Sequence, residues 1–349
     1  MTGATGGAGG AGGAGGAGMD IVLVTGASGF LGGAVATRLL ADGHPVRTLQ
    51  RRPSGIEGAD DVLGELTDPQ VRARALEGVT AVVHLAAKVS LAGDPADFAR
   101  INIEGTRALL AEARRAGATR FVFVSSPSVA HTGAAIMGEG AAPAEPERAR
   151  GEYARTKAAA ELLALAADAP GFAVVAVRPH IVWGPGDPQL VARMQDRARR
   201  GTLPIIGSGA ALIDSTYIDD AADGIAAALD RAESAHGRAY VLTSGEPRPV
   251  AELIGAICTA GGAPAPSRRV PAALARAAGS VVEAVWRIRP GADEPPMTRF
   301  LAEQLSTAHW FDQRATRRDL DWRPAVGVTE GLKRLAAAHV ATARQDLAE

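Results

Sequence analysis

This chain of 349 residues holds one cysteine (Cys258), three lysines (Lys88, Lys157, Lys333) and three tyrosines (Tyr153, Tyr217, Tyr240), and only 4% of it is aromatic. A lone thiol excludes an intramolecular disulfide framework and a metal site built from several cysteines, and it suits a reducing compartment. Basic and acidic residues nearly cancel, 37 against 38, so the cationic surplus of a nucleic-acid binder is missing. No apolar run reaches the roughly 18 residues of a membrane span, and the first residues have neither the basic nor the apolar region of a secretory signal. The expectation is a cytoplasmic protein, with peripheral membrane contact left open. Glycine, by contrast, is abundant: ten of the 42 fall in residues 1–18 (MTGATGGAGGAGGAGGAG), a low-complexity leader expected to be disordered. Met19 directly precedes the first strand, so a start assigned too far upstream would explain that leader.

From Asp20 onward strands and helices alternate. Asp20–Thr25 reads as a strand, Gly26–Gly32 (GASGFLG) as a tight turn, and the stretch through Ala34, Leu39 and Leu40 as a helix ending at Asp42-Gly43. Strands are predicted at Val46–Gln50 and near Val62-Leu63, and Thr80–Ala86 has the continuous apolar character of a buried parallel strand. A helix from about Phe98 to Ala116, a strand Arg120–Ser125, a helix from about Tyr153 to Ala167 and a strand Phe172–Arg178 follow. This alternation predicts an α/β fold, a Rossmann-type doubly wound parallel sheet.

After Pro179 the rhythm breaks, with short strands predicted near Pro204–Ile206 and Tyr240–Thr243 in a smaller, discontinuous substrate-binding domain. The run Thr216–Ile225 is expected to return to the main sheet. The domain plan is therefore a leader over 1–18, a nucleotide-binding domain over 19–184 with a returning segment near 212–230, and mostly lid over 185–349. Between Val270 and Ile288, Leu274, Val281, Val282, Val285 and Trp286 recur at helical spacing opposite Arg276, Glu283 and Arg287. That apolar face suits core packing, a channel wall or a membrane surface.

Gly26, Gly29 and Gly32 lie after a strand and at the start of a helix. There the first glycine permits a sharp turn, the second lets backbone approach a pyrophosphate, and the third brings helix and strand close. The helix amides then face the phosphates. At the end of the second strand a carboxylate would chelate the ribose hydroxyls of NAD, but this chain has Gln50-Arg51-Arg52. Guanidinium groups pair with a 2′-phosphate, so NADP(H) is the expected cofactor; two solvated loop arginines are the alternative. Glu65-Leu66, after the third strand, is placed to border the adenine, or Glu65 is an ordinary loop charge.

Tyr153-Ala-Arg-Thr-Lys157 places a phenol and an ammonium on one helix face. With so few tyrosines and lysines, a chance Tyr-x-x-x-Lys pair is expected only roughly 0.03 times in a chain of this composition. A neighbouring cation favours phenolate and is expected to lower the tyrosine pKa toward working pH, as a proton donor to a carbonyl oxygen requires. Ser125-Ser126 end the preceding strand, and Ser126 is the better candidate for hydrogen-bonding the substrate oxygen.

Together these segments resemble the extended short-chain dehydrogenase/reductase family over nearly all of residues 19–349: TGASGFLG, HLAA (84–87), INIEGT (101–106), VSSPSV, YARTK and RPHIVWGPGD (178–187). The resemblance implies Tyr153 as proton donor, Lys157 as ribose ligand and tuner of the tyrosine, Ser126 as polariser of the carbonyl and Asn102 as helix-kink and proton-relay residue. It places the cofactor against Gly26, Ser28, Gly29, Phe30, Leu31, Gly32, Arg51, Arg52, Glu65, Leu66, Ala86 and Lys88, and against Tyr153, Lys157 and the backbone at Pro179 and Ile181. No metal is implied. Dehydratases of the family have Asp-Glu after the active-site hydroxyl, where this chain has Pro127-Ser128.

Within the family the chain resembles the 3β-hydroxysteroid dehydrogenase-like branch and, more narrowly, the 2-alkyl-3-oxoalkanoate reductases of bacterial long-chain olefin biosynthesis. The carriers are SPSVAH (126–131), WGPGDPQLV, DSTYID and EPPMTRFLAEQLSTAHWF (294–311). His180 stands where that group's pattern has Arg. The implied reaction is NADPH-dependent reduction of a long-chain β-keto acid, with Ser128, His180, Arg299 and Lys88 as candidate substrate contacts. A steroid or sterol-4α-carboxylate dehydrogenase is the alternative, and a non-catalytic NADP-sensing protein a further one. The implied partners are a β-keto acid or sterol-like small molecule, a second copy of the chain, and the other enzymes of olefin formation.

Overall fold

A computed structural model describes residues 20–90, 93–288 and 298–346. The leader and residues 294–297 of the long substrate-half match lie outside them. Seven strands make the main sheet: β1 (Ile21–Thr25), β2 (Val46–Gln50), β3 (Asp60–Leu63), β4 (Val79–His84), β5 (Arg120–Val124), β6 (Ala173–Pro179) and β7 (Arg238–Leu242). Their order is β7-β6-β5-β4-β1-β2-β3 and every pairing is parallel. The sequences IVLVT, VTAVVH, RFVFV and AVVAVRP are rich in β-branched and aromatic residues and are buried along almost their whole length, as strands covered on both faces must be.

One face carries the helices Phe30–Ala41 and Ile218–Asp230, packed on Val22, Val24, Val83 and Val122. The other carries Pro69–Ala75, Gly105–Arg115 and Gly151–Ala166, packed on Leu23, Val82, Phe121 and Phe123. Strand order reverses between β1 and β4, and the crevice at the carboxyl ends of these strands is where an open α/β sheet takes a ligand.

Three sequence expectations change. The strand near Tyr240–Thr243, assigned to the smaller half, is β7, the edge of the main sheet; its apolar pattern does not say which sheet it joins. The helix expected from Phe98 starts at Pro95, capped by Asp94, and passes through a π-helical stretch, Ala99–Glu104, before continuing as Gly105–Arg115. The apolar face of helix Ala272–Ile288 is only partly core: Leu274, Val281 and Val285 are exposed, Val282 and Trp286 are half-buried, and Ala275 packs with Ile206 and Ala302. The run Thr216–Ile225 does return, and Ala222 and Ile225 pack in the main core.

The smaller half holds a second sheet in the order Arg248–Pro249, Leu212–Ile213, His309–Phe311, Ile136–Glu139. Its last strand comes from within the first 184 residues and pairs parallel with His309–Phe311, His309 opposite Ile136. The chain after Ser126 is thereby pulled across to the smaller half. Among the described residues no helix is long and apolar enough to cross a membrane.

Helix Gly151–Ala166 is tied to β6 by a buried ion pair. Arg178 Nε donates to Glu161 Oε2 at 2.9 Å, its Nη2 to Oε1, and its Nη1 to the Ala142 carbonyl at 2.7 Å, with the two side chains 2% and 1% exposed. Removing one partner of such a pair strands a buried charge. Glu161→Ala is expected to lower the unfolding free energy by about 3–5 kcal/mol in urea denaturation, and Glu161→Leu with Arg178→Met to recover most of the loss. An unchanged midpoint in the single variant would contradict this assignment.

Candidate active site

The glycine turn has the backbone the sequence demands. Gly26 has φ 80°, and a Cβ there would lie 3.1 Å from the Ala86 backbone. At Gly32 a Cβ would meet the Gly26 carbonyl oxygen at 2.2 Å, so the helix approaches β1 only because a hydrogen stands there. Gly29 begins helix Phe30–Ala41 without a side-chain cap, leaving first-turn amides to an external acceptor. Ser28 lies in the turn, while Phe30 and Leu31 pack against the core of the smaller half. These features fit a dinucleotide pyrophosphate.

Behind the turn, His84 bridges β1 and the long helix. Its Nε2 lies 2.9 Å from Thr106 Oγ1, whose own proton goes to the Asn102 carbonyl, so the ring carries its hydrogen on Nε2. Nδ1 accepts from Thr25 Oγ1 at 2.7 Å, and Thr25 in turn accepts from the amides of Leu85 and Ala86. Burial, with Lys157 nearby, pushes His84 down to about 3, so it is a neutral strut.

At the end of β2, Gln50 is buried and its Nε2 donates to Thr48 Oγ1 at 2.8 Å and to Asp61 Oδ1 at 3.1 Å. Asp61 also accepts from Thr48 and from the Ser54 amide. Partial burial acts to raise its pKa, but hydrogen bonds from Thr48, Ser54 and Gln50 win and hold it below the usual range. Arg51 and Arg52 follow, both exposed. A carboxylate thus does approach this corner, from the neighbouring strand. Glu65 is exposed and accepts from Thr67, whereas Leu66 is buried against Gly105.

Ser126, Tyr153 and Lys157 meet at the carboxyl edge of β5. Ser126 opens a short 3-10 turn, Pro127–Ala130, and its Oγ accepts from the Ser128 hydroxyl at 3.0 Å. Lys157 is 3% exposed, donates to the Val124 carbonyl at 2.7 Å and lies 4.1 Å from the Phe123 ring centroid. Burial pushes its pKa down to about 7, against the pull of Glu161. Burial likewise pushes the half-buried Tyr153 phenol up to about 12, with hydrogen bonding to Ser126 acting the other way. The lowering expected from the neighbouring ammonium is not found, and desolvation sets the direction of the shift.

Asn102 sits in the π-helical stretch. Its Oδ1 accepts from the Lys88 amide at 2.7 Å and its Nδ2 donates to Thr156 Oγ1 at 3.0 Å, so it joins the strand end beyond β4 to the helix bearing Tyr153. The Lys88 ammonium is paired with Asp97 at 3.0 Å.

Beyond β6, Pro179 leads to His180 and to Ile181, a β-branched residue held at φ 44°. Such a conformation costs on the order of 1–3 kcal/mol and is characteristic of functional sites. His180 Nδ1 donates to the Asp214 carbonyl at 2.6 Å. Asp214 itself, buried and pushed up by desolvation despite its hydrogen bonds, accepts from Thr243, Ser244 and the Gly245 amide.

A line of rings then leads outward: His180 and His309 with centroids 6.0 Å apart, His309 and His131 at 4.8 Å, His131 and Phe300 at 6.2 Å. Arg299 pairs with buried Glu303 at 2.9 Å and Arg150 approaches it at 3.9 Å. Sequence reasoning named His180 and Arg299 but missed His131, His309, Glu303 and Arg150. The two histidines stand in SPSVAH and STAHWF, and the pairing of Ile136–Glu139 with His309–Phe311 that brings these segments together is written in neither.

The profile of the NAD dependent epimerase/dehydratase family matches residues 22–243. The 2-alkyl-3-oxoalkanoate reductase of Stenotrophomonas maltophilia is 39% identical over 328 residues, covering 92% of this chain and 99% of the relative. Its namesake in Shewanella oneidensis is 36% identical, covering 90% and 85%. A 3 beta-hydroxysteroid dehydrogenase/Delta 5-->4-isomerase of Mycobacterium tuberculosis is 31% identical, covering 89% and 88%. Among solved structures, dTDP-glucose 4,6-dehydratase from Streptomyces venezuelae with NAD bound superposes with TM-score 0.71 at 27% identity, covering 93% and 98%. Fold, glycine turn and relatives agree: the chain belongs to the NAD dependent epimerase/dehydratase family, in its extended short-chain dehydrogenase/reductase form, and is an NAD(P)-dependent oxidoreductase.

Proposed function

We propose that the chain reduces the 3-oxo group of a long-chain 2-alkyl-3-oxoalkanoate to the 3-hydroxyl at the expense of NADPH. The observation that carries this reading is the meeting of Ser126, Tyr153 and Lys157 at the sheet edge in a chain 36% and 39% identical to two reductases of that name. Bound NADPH would supply the hydride. Gly26, Gly29 and Gly32 would hold its pyrophosphate, Arg51 and Arg52 its 2′-phosphate, Lys157 its nicotinamide ribose, and the backbone at Pro179 and Ile181 its carboxamide.

Tyr153 gives its proton to the oxygen that becomes the hydroxyl, and Ser126 hydrogen-bonds the same oxygen. A phenol held near 12 stays protonated at neutral pH, which suits a donor in the reductive direction. The Lys157 ammonium stabilises the phenolate left behind, and Asn102, through Thr156, holds the helix that carries both. The cofactor half comprises residues 19–184 with the returning segment 212–230 and β7; the remainder receives substrate. On this reading the protein works in olefin formation, as a homodimer beside the condensing, ligating and decarboxylating enzymes, in the cytoplasm or against a membrane surface.

The steroid dehydrogenase relative, 31% identical, favours a second reading in which a sterol 3β-hydroxyl is oxidised by the same three residues. Side-by-side assay of a 3β-hydroxysteroid and an acyclic β-keto acid separates the two.

Tyr153→Phe is expected to lower kcat for β-keto acid reduction by about 10²–10⁴-fold, the usual worth of general acid catalysis. Because the Lys157 ammonium is present below its pKa and lost above it, reduction by the wild type should fall as pH rises beyond about 7, and Lys157→Met should lack that limb. Full activity in Tyr153→Phe would overturn the mechanism. Replacing Arg51 and Arg52 by Ala should raise KM for NADPH about tenfold or more, the worth of one or two charged hydrogen bonds, and leave KM for NADH nearly unchanged. Equal effects on both cofactors would contradict the phosphate role.

A further inference from the structure

We propose that His131, His180 and His309 form the receiving site for the substrate's carboxylate, and that this site takes up a proton when the anion binds. The proposal rests on the β-keto acid reading, because that substrate brings a carboxyl carbon within two bonds of the carbon that accepts hydride.

Location comes first. His131 caps the turn that begins at Ser126, its amide bonded to the Ser128 carbonyl, and His180 directly follows Pro179. His309 lies between them because Ile136–Glu139 pairs with His309–Phe311. Both segments thus lead from the residues proposed to hold the substrate oxygen and the nicotinamide to the three rings, where a carboxylate two bonds from the reacting carbon would be received.

The second observation is unmet hydrogen bonding. His131 is 1% exposed, yet neither of its ring nitrogens has a hydrogen-bond partner among the described residues. His309 is 1% exposed and its Nδ1 is equally alone. Its Nε2 faces Thr307 Oγ1 at 3.2 Å, and Thr307 gives its own proton to the Glu303 carbonyl, so Nδ1 is the bare nitrogen. Buried polar groups in folded proteins find partners, so unmet nitrogens ask for a ligand. A buried N–H with no acceptor beside a bare nitrogen suits an anion arriving with a proton.

The third is charge. The groups facing the cluster are Glu303 and Arg299 from one helix, Arg150 at the start of the helix bearing Tyr153, and the Asp214 carbonyl on His180. Arg150 and Arg299 both pair with Glu303, so the one carboxylate next to the cluster is offset from two sides. All three imidazoles are held below their usual pKa, chiefly by burial and for His180 and His309 also by their histidine neighbours. They are neutral until an anion arrives, and a carboxylate lowered among them reverses that balance.

The test uses the protein with NADPH bound, which cannot take hydride from a hydroxy compound, in calorimetric titrations with a long-chain 2-alkyl-3-hydroxy acid and with the alcohol of the same skeleton lacking the carboxyl group. Run in two buffers of different ionisation enthalpy near pH 7.5, the wild type should bind the acid about tenfold or more tighter and take up about half a proton or more. Its affinity for the acid should rise as pH falls from about 9 to 6, while that for the alcohol stays flat. His131→Phe, with His131→Asn as a second variant and thermal melting as the check on folding, should abolish the uptake and weaken the acid about tenfold against threefold or less for the alcohol. No uptake by the wild type, or equal losses for acid and alcohol, would overturn the site. Acid binding with uptake in a protein that reduces no β-keto acid would sink the reductase reading and leave the site standing. Turnover without uptake would do the reverse.

Discussion

One buried ammonium constrains much of this structure. Lys157 has almost no contact with water, and its charge is offset by the Val124 carbonyl, the face of Phe123 and, one turn along the helix, Glu161. Glu161 in turn needs Arg178, which fixes the helix to β6 and reaches the loop at Ala142. Below the ammonium a second cation would be costly, and His84 is accordingly neutral and spent on joining β1 to the long helix. The ammonium proposed to serve Tyr153 is thus held by the sheet, the ion pair and the strut together, at a rigid strand edge rather than on a loop.

Much of this was legible in the chain. The glycine turn, the buried parallel strands and the Tyr-x-x-x-Lys pair follow from local rules of backbone freedom, apolar periodicity and helix geometry, and the structure has each where the residues put it. What was not legible depends on distant pairing. Nothing in Arg238–Leu242 says that it completes the main sheet, and nothing in Ile136–Glu139 says that it leaves the first half to pair with His309–Phe311. The histidine cluster exists only through that second pairing. Asp61 was invisible for the same reason, since it reaches the end of β2 from the neighbouring strand β3 and is bonded there by Thr48 and Gln50. The direction of the tyrosine shift also escaped the sequence, which shows neighbours but not desolvation.

The two halves divide the chemistry. The cofactor half is a set of parallel strands whose carboxyl ends offer amides, hydroxyls and one ammonium. The small sheet brings His309 from the later part of the chain against His131 and His180, and Arg299 from the same part against Glu303 beside Arg150. The fold is shared with a dTDP-glucose 4,6-dehydratase, and the substrate proposed for this chain rests on its site residues, in keeping with the rule that function lives in sites carried on folds.

The central claim is hydride transfer from NADPH to C3 of a 2-alkyl-3-oxoalkanoate. The most direct measurement is mass spectrometry of the product formed from NADPH deuterated at C4 of the nicotinamide ring on either face. The account predicts one deuterium at C3 of the 2-alkyl-3-hydroxyalkanoate from one of the two labelled cofactors and none from the other. Product without deuterium from both cofactors, or no hydroxy acid while a steroid is labelled, would contradict it.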